Sequence, residues 1–189
     1  MTDSRQMDWI GQVIHFWFAE LTPTDWFAGR PELDDLIWDR FGDLRQDMKA
    51  APPDPETLDG LGHVAAVIVF DQFSRNMFRR SPEAFATDPI ALALAQHAID
   101  NNLDLALHPH EQHFLYMPFM HAEDRALQEK SLELFTRIGM PDLLPFAQQH
   151  QAVIDRFGRF PHRNNVLKRE STPEEIEFLN AKPAEGWQK

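Results

Sequence analysis

The chain has 189 residues, 43% of them hydrophobic and 25% charged, which is the composition of a globular protein with a sizeable core. It contains no cysteine, which excludes disulfides, thiolate zinc sites and cysteine nucleophiles. The formal net charge of −12 makes nucleic acid and anionic membranes poor default partners. We predict one domain over residues 1–189, without a signal or membrane segment, that is cytoplasmic.

Helical periodicity dominates the N-terminal half of the chain. An apolar stripe with steps of three and four follows Pro31, and that helix must end by Ala51 because Pro52, Pro53 and Pro55 come next. Two similar stripes flank it. The stripes consist of Trp9, Val13, Phe16 and Trp17, then Leu33, Ile37, Phe41, Leu44 and Met48, then Leu58, Leu61, Ala65, Ile68 and Val69.

Helix-start signals recur in the C-terminal half. A proline follows a polar residue at Asp88, His108 and Thr172, where a first-turn proline is tolerated, and Glu175 completes a capping box with Thr172. No segment shows the two-residue alternation of a strand bounded by hairpin turns. We therefore predict an all-α fold of roughly eight helices, stacked as antiparallel pairs.

Basic residues are concentrated in two segments that contain no acidic residue, at positions 75–80 and 156–169. Together these segments hold eight of the 18 lysines and arginines. Guanidinium groups are suited to carboxylates and phosphates, and asparagine amides add fixed hydrogen bonds. We predict an anion-binding pocket that uses Arg75, Asn76, Arg79, Arg159, His162, Arg163 and Asn164. The alternative is that the arginines pair with Asp71, Glu123, Asp124 and Asp155 and hold the helices together.

The two basic segments share a short pattern. Asp71 to Arg75 and Asp155 to Arg159 both read D-x-F-x-R, 84 residues apart, and an Arg-Asn pair follows each copy. Such a short match is either a coincidence or a duplicated helix end. The second interpretation predicts that Arg75 and Asn76 lie close to residues 159–164.

A third candidate segment runs from His121 to Asp124. Pro118 is predicted to break the preceding helix, so that His121 lies near the start of the next one, where Glu123 and Asp124 suit the helix dipole. The functional interpretation adds His121, Glu123 and Asp124 to the ligand-binding residues. Because the His-x-Glu-Asp spacing matches no standard metal motif, we predict neither a metal nor a cofactor.

Several motifs, taken in chain order, resemble a bacterial family catalogued as domain of unknown function 924. The resemblance covers nearly the whole chain and implies an all-helical fold similar to tetratricopeptide repeats, but no reaction. Met120 stands where the family pattern tends to have a glutamate, which leaves one fewer carboxylate for a metal. The motifs are Phe16-Trp17-Phe18, Trp26-Phe27, the segments 71–76, 88–91 and 114–124, and the segment 157–164.

Two functions follow from these residues. The first is a binding module, in which stacked helices form a pocket for an anionic small molecule or an acidic or C-terminal peptide. The second is a hydrolase-like enzyme, with His162 or His121 as general base beside Glu123 and with arginines that anchor an anionic substrate. Neither nucleic acid nor membrane is an expected partner, and a homodimer stays open.

Overall fold

The structure is a computed structural model that describes residues 4–181, with side chains from residue 9 onward. Within this range, eight helices of at least eight residues dominate and no strand occurs, which confirms the all-α class. The predicted tetratricopeptide-like pairing stays a prediction. In chain order, α1 to α8 are Ser4–His15, Pro31–Ala50, Gly60–Val67, Asp88–Asp100, Pro109–Met120, Arg125–Ile138, Leu144–Phe157 and Pro173–Asn180.

Most helix boundaries agree with the local signals. Helix α2 begins at Pro31 and ends at Ala50, as the flanking prolines predict. The capping box of Thr172 and Glu175 opens α8, and Gly139 ends α6 with a φ of 72°, in the left-handed region that favours glycine. None of the described helices is long and apolar enough to cross a bilayer.

Two π-helical turns extend the helices near the centre of the molecule. Phe16–Glu20 continues α1, and Ile68–Phe73 continues α3 into the short helix Ser74–Met77. A π turn replaces the usual four-residue hydrogen-bond step with a five-residue step, and such turns are frequent at functional sites. The second turn carries the buried side chains of Asp71 and Gln72.

Most residues of the three predicted apolar stripes are buried; Trp9 and Leu44 are partly buried and Leu61 is exposed. The buried residues include an aromatic cluster in which the Phe41 ring lies 4.8 Å from Phe73 and 5.1 Å from Phe16, measured between ring centroids. Helix α3 packs against α1, α4 and α5, and Gly62 to Val67 are buried on every side. The confirmed core residues are Phe16, Trp17, Phe41, Ile68, Phe70, Phe73, Leu115 and Phe135.

The predicted break at Pro118 is wrong, because α5 continues through this residue to Met120. A proline removes one backbone donor, and the packing around the buried residues His113 to Met120 tolerates that loss here. Gln128 of α6 donates hydrogen bonds of 2.8 Å to the carbonyl oxygens of Met120, the last residue of α5, and of Ala122, two residues later. His121 therefore follows α5 instead of opening α6.

Candidate functional site

A pocket of about 410 Å³ lies where α5, α7, the segment after α1 and the turns around residues 72–85 and 162–163 meet. Its wall contains three arginines, four histidines, two side-chain amides and eight apolar residues. Within the described part of the chain, no aspartate or glutamate belongs to this wall. The polar members are Arg75, Arg79, Arg163, His113, His121, His150, His162, Gln72 and Asn76.

The structure brings the two basic segments together at Asp88, the first residue of α4. Both carboxylate oxygens of Asp88 accept hydrogen bonds from Arg75, with N–O distances of 2.8 and 2.9 Å. Arg163 Nη1 lies 3.8 Å from the same carboxylate. The predicted proximity of the two segments is therefore confirmed for Arg75 and Arg163, the arginines of the two Arg-Asn pairs.

Arg75 is fully paired. In addition to Asp88, its Nη1 lies 2.9 Å from Oδ1 of Asp71, one helical turn earlier. Burial alone would lower the pKa of Arg75, but the two aspartates raise it. Burial would likewise raise the pKa of Asp71, whereas Arg75 and then His121 hold it below its ordinary value. This network matches the structural interpretation of the arginines.

Arg163 has a different environment. The central carbon of its guanidinium lies 4.7 and 4.6 Å from the ring centroids of Phe85 and Phe160. Although Arg163 is only 7% exposed, its side chain donates no hydrogen bond to any described residue, and Nε is buried without a partner. Burial, followed by repulsion from Arg75, lowers the pKa of Arg163 to about 10. The group is therefore a buried cation at neutral pH with one distant carboxylate.

His121 forms a dyad with Asp71. The distance from Nδ1 of His121 to Oδ1 of Asp71 is 2.7 Å, and because the ionised carboxylate only accepts, Nδ1 carries the proton. Burial lowers the pKa of His121, and the opposing attraction of Asp71 is offset by Arg75. The ring is neutral at pH 7, so its Nε2 atom is a proton acceptor.

The other pocket histidines are also neutral at pH 7. Burial is the main reason that the pKa values of His113 and His150 are lowered to about 3, and that of His162 to about 4. His150 donates from Nδ1 to the carbonyl oxygen of Phe146 at 2.8 Å. The positive charge of the wall therefore comes from its arginines alone.

Six of the ten predicted ligand-binding residues line the pocket. Asn76 and Arg79 line it while both bind Asp34: Asn76 Nδ2 donates to Oδ1 at 2.7 Å, and Arg79 makes two hydrogen bonds to the carboxylate. The six residues are Arg75, Asn76, Arg79, His121, His162 and Arg163.

The other four predicted residues lie outside the pocket wall. Arg159 and Asn164 both bind Glu175, the capping residue of α8. Glu123 accepts two hydrogen bonds from Arg169, at 2.6 and 2.9 Å, and a third from the backbone of Phe160. Asp124 caps α6 by accepting from the Leu127 amide. The acidic partner of the pocket histidine is therefore Asp71, where the sequence had favoured Glu123.

Sequence reasoning missed several wall residues and their supports. In the sequence Asp88 shows only the pattern of a helix start, yet its carboxylate connects the two basic segments. His113 and His150 lie within helices, where a histidine gives no sign of facing a cavity. The Trp26-Phe27 motif was noted only as part of the resemblance. In the ranges that the structure describes, no group of three or more His, Asp or Glu side chains is arranged to hold a metal.

Comparisons with known proteins place the chain in a family. A family of bacterial proteins of unknown function, DUF924, matches residues 13–183. The chain belongs to the DUF924 family. A solved structure of a protein of unknown function from Agrobacterium tumefaciens is 35% identical to this DUF924 protein and has a TM-score of 0.87. The match covers 93% of this chain and 98% of that one. None of the curated proteins gives a significant match.

Proposed function

We propose that this DUF924 protein binds an anionic small molecule in the pocket and that Arg163 contacts the negative charge. The environment of Arg163 supports this proposal. Buried cations in folded proteins are normally paired and hydrogen-bonded, because desolvation without a partner costs several kcal/mol. Arg163 has one carboxylate at 3.8 Å and no side-chain hydrogen bond to any described residue. An anion in the pocket would supply the missing acceptor.

The rest of the wall supports the same ligand class. The carboxylates of Asp71 and Asp88 are already engaged by the wall residue Arg75, and neither belongs to the wall. An incoming anion therefore meets guanidinium groups and neutral histidines. A volume of about 410 Å³ lies in the range of small-molecule sites, which favours a small molecule over a folded peptide segment.

Calorimetric titration tests the anion proposal. The wild-type protein would be titrated with acetate, phosphate, phenyl phosphate and 3-phenylpropionate, beside Arg163→Met and the matched control Arg156→Met. Arg156 pairs with Glu174 at 49% side-chain exposure and lies outside the pocket. We expect at least one anion to bind the wild type and the control equally, and Arg163→Met at least tenfold more weakly. Equal binding by Arg163→Met, or no binding of any anion, would contradict the proposal.

A hydrolase is the second candidate, and the Asp71–His121 dyad favours it. A carboxylate that holds the Nδ1 proton of a neutral histidine fixes the ring so that Nε2 can accept a proton from an attacking water. The substrate's ester bond would then break, giving an acid and an alcohol, while Arg163 holds an anionic part of the substrate. Glu123 has no role in this version.

Release of p-nitrophenolate from mono-p-nitrophenyl esters of dicarboxylic acids tests the hydrolase. His121→Gln should abolish turnover and retain anion binding, whereas Arg163→Met should lose both. Turnover that persists in His121→Gln, or its absence in the wild type, would reject this candidate and leave the binding proposal standing.

A further inference from the structure

The pocket has two chemically different ends. One end, which we call the basic end, holds two guanidinium groups and three histidine rings, those of Arg75, Arg163, His121, His150 and His162. The ring centroids of His121 and His150 lie 6.2 Å apart. The other end, which we call the aromatic end, is made by Trp26, Phe27, His113 and Phe135.

The aromatic end is a continuous set of rings. Centroid distances are 6.5 Å from Trp26 to Phe27, 6.1 Å from Phe27 to His113 and 5.8 Å from His113 to Phe135. Phe27 is 42% exposed, and Phe146, which also lines the pocket, is 43% exposed. Two phenylalanines on a pocket wall that retain this much exposed apolar surface favour a ligand with an apolar body, because such a ligand removes that surface from water.

The hydrogen-bond pairing at the basic end favours a ligand with one negative charge. Arg75 is matched by Asp71 and Asp88, and the nearby Glu123 is matched by Arg169. Of the three arginines on the pocket wall, Arg163 alone has no carboxylate within hydrogen-bond distance among the described residues. A second negative charge on the ligand would be repelled by Asp71 and Asp88, because Arg75 is already paired with both and offers that charge no free cation.

Building on the proposed function, we propose that the ligand is a monocarboxylate with an apolar body about the size of one aromatic ring. The carboxylate accepts hydrogen bonds from the Arg163 guanidinium, whose Nε has no partner among the described residues and whose central carbon lies within 4.7 Å of the Phe85 and Phe160 ring centroids. The apolar body lies against Phe27, His113 and Phe135. Arg163 gives the charge selectivity, and the aromatic end gives the selectivity for the body.

Calorimetric titration with four probes tests this inference, because the probes vary the charge of the head group and the presence of the apolar body. They are 3-phenylpropionate, its neutral analogue 3-phenylpropanamide, acetate without the body, and the dianion phenyl phosphate. We expect 3-phenylpropionate to bind at least tenfold more tightly than each of the other three. In Arg163→Met the difference between the acid and its amide should disappear.

A second variant tests the aromatic end separately. Phe27→Ala should reduce the preference for 3-phenylpropionate over acetate by at least fivefold, and it is a mild change because Phe27 is partly exposed. The matched control is Trp38→Ala, since Trp38 is 47% exposed and lies outside the pocket wall. The control should bind all four probes as the wild type does.

The outcomes separate the two proposals. If acetate or phenyl phosphate binds as tightly as 3-phenylpropionate, and Arg163→Met abolishes that binding, the anion site stands and the apolar-monocarboxylate inference falls. The inference also falls if 3-phenylpropanamide binds as well as the acid. If neither these three anions nor phosphate binds the wild type, both proposals fall.

Discussion

At the scale of single residues, Arg75 is a structural cation whose removal leaves buried negative charge. Arg75→Ala would leave the fully buried Asp71 with only His121 and Gln72 as partners. Breaking a buried pair on one side typically costs about 3–5 kcal/mol. We therefore expect the free energy of unfolding, measured by urea denaturation, to fall by that amount in Arg75→Ala.

Removal of Arg163, on the same pocket wall, should leave the stability of the protein nearly unchanged. Arg163→Ala loses two ring contacts but also removes a desolvated cation that Arg75 repels. These changes oppose each other, so we expect the urea unfolding free energy to stay within about 1 kcal/mol of the wild type. A loss as large as that of Arg75→Ala would make Arg163 structural as well and would remove the basis of the anion site.

The buried His113 predicts that the protein loses stability in mild acid. Its pKa is about 3 in the folded protein and 6.5 ordinarily, so below pH 6.5 the unfolded chain binds a proton that the folded one does not. Above pH 6.5 His113 is neutral in both states and does not reduce the free energy of unfolding. Between pH 7.5 and 5, protonation of His113 in the unfolded chain lowers the free energy of unfolding by about 2 kcal/mol.

Replacement of His113 by leucine isolates this effect. His113→Leu keeps an apolar side chain between Phe27 and Phe135 but cannot titrate. Urea denaturation at pH 7.5 and 5 should give a smaller loss of unfolding free energy in the variant than in the wild type. An identical loss in both proteins would show that His113 does not contribute to the acid sensitivity.

At the scale of elements, Phe41 joins α2 to the centre of the molecule. Its ring is 2% exposed and packs on Phe16 and Phe73, which belong to the two π-helical turns. Phe41→Ala should lower the unfolding free energy by about 3–5 kcal/mol, because a cavity remains where the ring was. An unchanged denaturation midpoint would contradict the packing of α2 described above.

The ends of most elements could be predicted from the sequence because the signals are local. Prolines before α2, the capping box of α8 and Gly139 after α6 act within one turn of the chain. The continuation of α5 through Pro118 could not be predicted in this way, since it depends on burial by other helices. Leu61, at 37% exposure, lies outside the core although its stripe predicted it there, because it belongs to the first turn of α3, before the buried run that begins at Gly62.

The candidate site could be predicted from its charges but not from its cavity. Clustering of basic residues indicated Arg75 and Arg163, and the structure places both on one pocket wall. Hydrophobic periodicity marks Phe135 as buried, yet it does not show whether a side chain faces another side chain or an empty space. Pairing also depends on distant residues: Arg159 binds Glu175, 16 residues later, and for that reason it does not reach the pocket.

At the scale of the whole molecule, the pocket combines residues from distant parts of the chain. Its wall begins with Trp26 and ends with Arg163, and it includes side chains from α5 and α7. A ligand bound there would contact residues from α5, α6, α7 and the segments around residues 26, 75 and 163, so it should raise the stability of all these parts together rather than of one segment. At 100 times its Kd, the increase would be about 2.7 kcal/mol.

The sequence positions of Arg75, Asp88 and Arg163 also bear on the order of events during synthesis. Arg75 lies 13 residues from Asp88, so the two can pair while the C-terminal half is still on the ribosome. Arg163 is translated much later, and it approaches Asp88, whose carboxylate already accepts two hydrogen bonds from Arg75. A nascent chain can therefore satisfy its own charges without acquiring the capacity to bind an anion. Only a finished polypeptide would compete for the ligand in the cell.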